Sequence, residues 1–108
     1  MLLAIRDASG NVQTVVTQAA GTPVDRSGTI AGTTSQPLMV ANSLRSGYLF
    51  QNTGSNPMTI SEIGNDATLA GTFVVGVGQM FPPVGYIITQ GAINVAGTAG
   101  DTYTAREW

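Results

Sequence analysis

Six carboxylates (Asp7, Asp25, Glu62, Asp66, Asp101 and Glu107) and four arginines (Arg6, Arg26, Arg45 and Arg106) are the only charged side chains in this sequence of 108 residues. Histidine, cysteine and lysine are absent. That removes the common general base, the thiol nucleophile and the Schiff-base amine. A Ser-His-Asp triad cannot be built. Two carboxylates can hydrolyse a glycosidic bond when one is held protonated. Glu62 and Asp66 are near in sequence, but no cluster of aromatic sugar platforms surrounds them. Solvated loop and strand-edge acids are the better reading. Asn65 and Asp66 beside Gly64 could offer oxygens to calcium, yet the EF-hand spacing is missing and two ligands do not make a site. A turn in which one of them hydrogen-bonds its own backbone is the simpler expectation. Gly76-Val77-Gly78 resembles a fragment of a phosphate loop, without the third glycine or the following helix. It reads as a turn between strands. The expectation is a chain that is not an enzyme, with no catalytic residue, no metal ligand and no cofactor.

The elements that would position these groups are short strands. Fourteen glycines and five prolines punctuate the chain, with Thr and Val filling the gaps. Apolar residues alternate or run in short blocks instead of recurring at helical spacing. Leu2 to Arg6 and Val12 to Gln18 flank the turn Asp7 to Asn11 and predict a hairpin. Residues 19–37 are small, polar and glycine-rich, and read as a long loop with one short strand near Thr29 to Ala31. Further strands are expected at Pro37 to Ala41, Gly47 to Thr53, Met58 to Gly64, Thr72 to Val75, Met80-Phe81, Tyr86 to Thr89, Ala92 to Ala96 and Thr102 to Trp108. Glu62 and Ile63 break the alternation and suggest a bulge or a two-sided environment. Pro82-Pro83 must sit at a sheet edge or off it. About ten short strands suffice for two packed sheets. The predicted fold is all-β, an antiparallel β-sandwich of jelly-roll type with an N-terminal hairpin arm. Residues 1–26 form the arm and loop, and residues 27–108 the body.

Charged residues make up 9% of the chain, against roughly a quarter in an average protein. With a net charge of -2, no basic footprint for nucleic acid and no polybasic membrane signal exist. Arg6 and Asp7 interrupt the opening apolar stretch, which is too short for a signal-peptide core or a spanning helix. Synthesis in the cytoplasm of the producing cell is expected. A surface of Thr, Ser, Asn, Gln and Gly opposes contact with other molecules only weakly. It suits either a chain made to be packed against something or a neutral β protein. The hairpin is apolar on both faces and wants cover within the sandwich or on a neighbour. Its Leu3, Ile5, Val12 and Val15 are candidate partner-binding residues. Arg45 and Arg106 are candidates too, because a guanidinium suits interfaces, though each could equally pair with a carboxylate inside the subunit. Trp108 should dock into the body or a neighbour rather than stay in water.

The stretch from about Ser27 to Trp108 resembles a family of small virion proteins of tailed phages and prophages. The similarity lies in SGTIAGTTSQPLMVAN, SLRSGYLFQNTGSNPMTISEIG, GQMFPPVG and AINVAGTAGDTYTAREW. The shared pattern is an arginine ahead of an apolar-aromatic strand, an Asn-containing turn, a glycine after the next strand, and an Arg-Glu-Trp-like end. The opening DASGNVQTVVTQ is similar to phage structural proteins that begin with such a hairpin. The resemblance implies a non-enzymatic role on the outer surface of the phage head, with capsid decoration (cement) proteins as the nearest class. The implied partners are the major capsid protein and further copies of the chain, as a homotrimer. Tail and fibre components share this look, so a tail, collar or fibre component, with a host-glycan-binding module as one form of it, is the alternative.

Overall fold

The computed structural model describes residues 2–6 and 12–16 as strands and residues 21–108 with their side chains. Among these residues there are strands, turns and irregular segments, and no helix. Strands β1 (Leu2–Arg6) and β2 (Val12–Val16) pair antiparallel in a two-stranded sheet of their own, from Leu2 opposite Val16 to Arg6 opposite Val12. The remaining strands are β3 (Val24–Asp25), β4 (Gly28–Thr29), β5 (Gln36–Met39), β6 (Tyr48–Asn52), β7 (Met58–Ser61), β8 (Phe73–Val75), β9 (Met80–Phe81), β10 (Ile93–Ala96) and β11 (Thr102–Glu107).

Two antiparallel sheets pack together. One has the order β5-β10-β7-β8; in the other the order is β3-β11-β6-β9, with β4 also on β11. Taking β3 and β4 as one interrupted strand, the chain fills the two sheets in the order of an eight-stranded jelly roll. The all-β sandwich expected from the pattern of short strands is therefore the fold.

Period-two alternation builds the core. Tyr48, Phe50 and Asn52 on β6 are buried, as are Tyr103, Ala105 and Glu107 on β11. They face Met58, Ile60, Ile93 and Val95 of the opposite sheet, and Ile30, Leu38, Met39, Val75 and Phe81 complete the cluster. Phe50 and Tyr103 lie with ring centroids 5.5 Å apart. Two members of the inward-facing rows are polar, Asn52 and Glu107, and both need partners in the interior. Asn52 finds them across the sandwich: its amide donates to the Val75 carbonyl on β8 at 2.9 Å and to the Asn56 carbonyl at 2.8 Å, and its oxygen accepts from Gly54 N–H.

Several details differ from the sequence expectation. β3 lies within the stretch read as loop, held to β11 by the pairings of Asp25 with Arg106 and Val24 with Glu107. The short strand expected near Thr29 to Ala31 sits at Gly28–Thr29. Tyr86 to Thr89 is not a strand. Its apolar residues made it look like one, but Thr89 and Gly91 give their carbonyls to a side chain instead of to a ladder. Glu62 and Ile63 lie in the turn after β7, not in a bulge. The double proline follows β9, the edge strand of its sheet. Gly76-Val77-Gly78 forms the β8–β9 turn, where Gly78 has a φ of 79°, a conformation that favours glycine. Asp66 closes its own turn by accepting from the Thr68 N–H and hydroxyl, which holds its carboxyl below the usual range.

Candidate functional site

Two features stand out from the framework: a buried polar cluster at one end of β11, and an apolar groove at the opposite edge of the sandwich.

The cluster centres on Glu107, 2% exposed. Oε1 accepts from Asn42 Nδ2 at 2.9 Å and Arg45 Nε at 3.2 Å, and Oε2 accepts from Arg26 Nε at 2.7 Å. Burial pushes the carboxyl's pKa up. The hydrogen bonds from Asn42, Arg26 and Arg45 and the Arg45 charge outweigh that and hold it below the ordinary value. The Arg45 side chain is fully enclosed. Its other donors go to the carbonyls of Thr89 and Gly91, both at 2.9 Å, and of Val40 at 2.7 Å. One guanidinium thus ties the loop before β6 to the loop before β10. Beside it, Trp108 N–H donates to the Gly47 carbonyl, and Ser46 and Gly47 N–H groups donate to the Trp108 backbone oxygen. The indole lies so close over Gly47 that a Cβ there would come within 2.6 Å of it. The Glu107 carboxylate and the Arg45 guanidinium find their partners inside the chain, which is the arrangement of a structural anchor.

The partner candidates read from sequence now have places. Arg45 pairs with a carboxylate of its own subunit. Arg106 does the same at the surface, 2.7 Å from Asp25, with both side chains well exposed. Trp108 docks on the body. Leu3, Ile5, Val12 and Val15 lie on β1 and β2, and their side chains are outside the described residues. The structure brings Trp108 beside the loop that carries Arg45 and leaves Arg106 on the outward face of β11.

The groove was not singled out from the sequence. β8 is the edge strand of one sheet and β9 the edge strand of the other. Between them opens a cavity of about 430 Å³ lined by Phe73, Val74, Met80, Phe81, Pro83 and Tyr86, with Val75 and Gln79 completing it. Phe73, Phe81 and Tyr86 pack in a triangle with centroids 5.3 to 5.8 Å apart. Val74 is 66% and Met80 55% exposed, and Ile87 and Val84 extend the apolar surface nearby in sequence. No carboxylate or guanidinium lines the groove. The side-chain oxygen of Gln79 accepts from the N–H of Gly76, and the Tyr86 hydroxyl is the other side-chain polar group of the lining. The signal in the sequence was the run Phe73 to Ile87, whose apolar residues outnumber what two strands of three and two residues can bury. Behind the groove, Tyr48 packs with its ring tilted against Phe81, centroids 6.3 Å apart, and its buried hydroxyl has no hydrogen-bond partner among the described residues. Burial, with the neighbouring charges of Glu62 and Tyr86, pushes its pKa up to about 12.

Chemically the groove suits an apolar or aromatic guest. Among the described residues no three His, Cys, Asp or Glu side chains gather as a metal site. No family model, no curated protein and no solved structure matches the chain.

Proposed function

We propose that this protein is a non-enzymatic structural subunit of a tailed-phage particle, of the type that decorates the capsid and stabilises it by bridging shell subunits. The observation that carries this reading is the uncharged apolar groove between the two sheet edges, on a domain whose other conspicuous polar groups serve its own folding. An exposed apolar surface of this kind marks an interaction site, and a macromolecular contact is the reading that goes with the sparse charge. The jelly roll hosts capsid proteins among other functions, so the fold accommodates the role without assigning it. The sparse charge opposes such packing only weakly. Binding only to assembled shells would stabilise them by mass action, and repetition over a lattice would add many weak contacts together.

The test is the copy number of this chain in purified particles, by quantitative mass spectrometry against the major shell protein. A ratio near one per shell subunit is expected. A handful of copies per particle would move the chain to tail, collar or fibres, and none would refute the virion role.

A further inference from the structure

We propose that residues 82–87 form a movable flap, a wall of the groove that swings off the aromatic triangle while both sheets stay paired, so that the groove alternates between a walled and an open form. The inference rests on the chain's own geometry and does not depend on a virion role.

The first ground is how little holds the segment. Among the described residues, 82–87 makes no hydrogen bond to the rest of the chain; within the segment the Tyr86 N–H donates to the Pro83 carbonyl at 3.1 Å. Pro82 and Pro83 lack the N–H that a ladder would need. Pro83, Val84, Gly85, Tyr86 and Ile87 are all exposed. The Tyr86 ring is the clasp, with its centroid 5.8 Å from that of Phe73 and 5.7 Å from that of Phe81. A segment with few buried contacts and no ladder opens at far lower free energy than the core.

The second ground is that both ends are fixed. Before the segment, Phe81 is buried and pairs with Phe50 on β6. After it, Ile88 packs on the core, Arg45 holds the Thr89 and Gly91 carbonyls, and the Asn42 N–H donates to the Gln90 carbonyl. A short stretch hinged at two held ends moves as a flap and does not fray. The third ground is the cost of the walled form. Tyr48 packs against Phe81, and its buried hydroxyl lacks a partner among the described residues. Tyr86 is near enough for its charge to act on that hydroxyl. With Tyr86 swung out, water reaches the hydroxyl and supplies the missing partner, which lowers the cost of opening.

The chain's three phenylalanines, Phe50, Phe73 and Phe81, make the test clean. Full-length protein is grown with para-fluorophenylalanine, and fluorine NMR relaxation dispersion and saturation transfer are recorded, with Phe73→Leu and Phe81→Leu assigning the signals. Phe73 and Phe81 should exchange on the microsecond-to-millisecond scale with one shared rate and a minor form on the order of 1%. Phe50, buried and packed on Tyr103, should not exchange. Gly85 has a φ of 87°, and a Cβ there would meet open space. Gly85→Ala therefore strains only the turn of the walled form, and the minor population should rise roughly five- to thirtyfold at both rings. Tyr86→Ala removes the clasp, so the minor-form shifts should become the main ones. The proposal is overturned by Phe73 and Phe81 without exchange, by Phe50 exchanging at their rate, by a minor population that Gly85→Ala leaves unchanged, or by main shifts in Tyr86→Ala that differ from the minor form's. None of these outcomes bears on copy number in particles, so the two readings fail separately.

Discussion

Replacing Glu107 by Gln should lower stability by about 3 kcal/mol, toward the lower end of the cost of breaking a buried ion pair. The cost falls on Arg45. Its side chain is fully enclosed and cannot turn to water when its counter-charge is removed. Arg26, 42% exposed, can swing out and adds little. Gln keeps one oxygen that can still accept from Asn42 and Arg45, which is why the upper end is not reached. Trp108, the single tryptophan, adjoins Gly47 two residues from Arg45 and reports the region by fluorescence in urea unfolding. A loss of about 3 kcal/mol would lower Tm by roughly 12 °C or more in a domain of this size. Acid supplies a second readout. Because the folded pKa of Glu107 is depressed, its contribution is present above the unfolded carboxylate pKa and is lost as pH falls through the folded one. The unmodified protein should therefore lose stability on acidification more steeply than Glu107→Gln. A change below about 1 kcal/mol, the value of an exposed pair, together with parallel pH profiles would refute the buried-pair reasoning.

Tyr48→Phe should raise stability by about 1 kcal/mol, since it removes a buried hydroxyl that has no partner among the described residues; a drop in the urea midpoint would count against it. Gly47→Ala should cost about 1–3 kcal/mol and red-shift tryptophan emission, because the new Cβ displaces the indole. Asn52→Ala should cost about 2 kcal/mol by leaving the Val75 and Asn56 carbonyls unpaired. Hydrogen exchange should then quicken at β8 before the β6–β11 pair, and uniform quickening would argue against a local tie between the sheets.

The sequence by itself determined the all-β class and most of the strands. Alternation in Tyr48-Leu49-Phe50 and in Tyr103-Thr104-Ala105 is local, and it fixes which residues face inward wherever one side of a sheet is buried. Glycine and proline marked the turns for the same local reason. The phase of β11 even put Glu107 on the inner face with Tyr103 and Ala105. What it could not supply was the partners, which come from 81, 65 and 62 residues away at Arg26, Asn42 and Arg45. Nothing local distinguishes a carboxylate met by three donors from one left in water. Tyr86 to Thr89 went the other way: its apolar residues suit a strand, but Arg45 captured the carbonyls at its C-terminal end, Thr89 and Gly91, and the segment stayed irregular. The groove, too, was decided only by tertiary structure. It exists because β8 and β9 end up at adjacent edges of different sheets, and which strands lie at an edge is a property of topology, not of the residues within them.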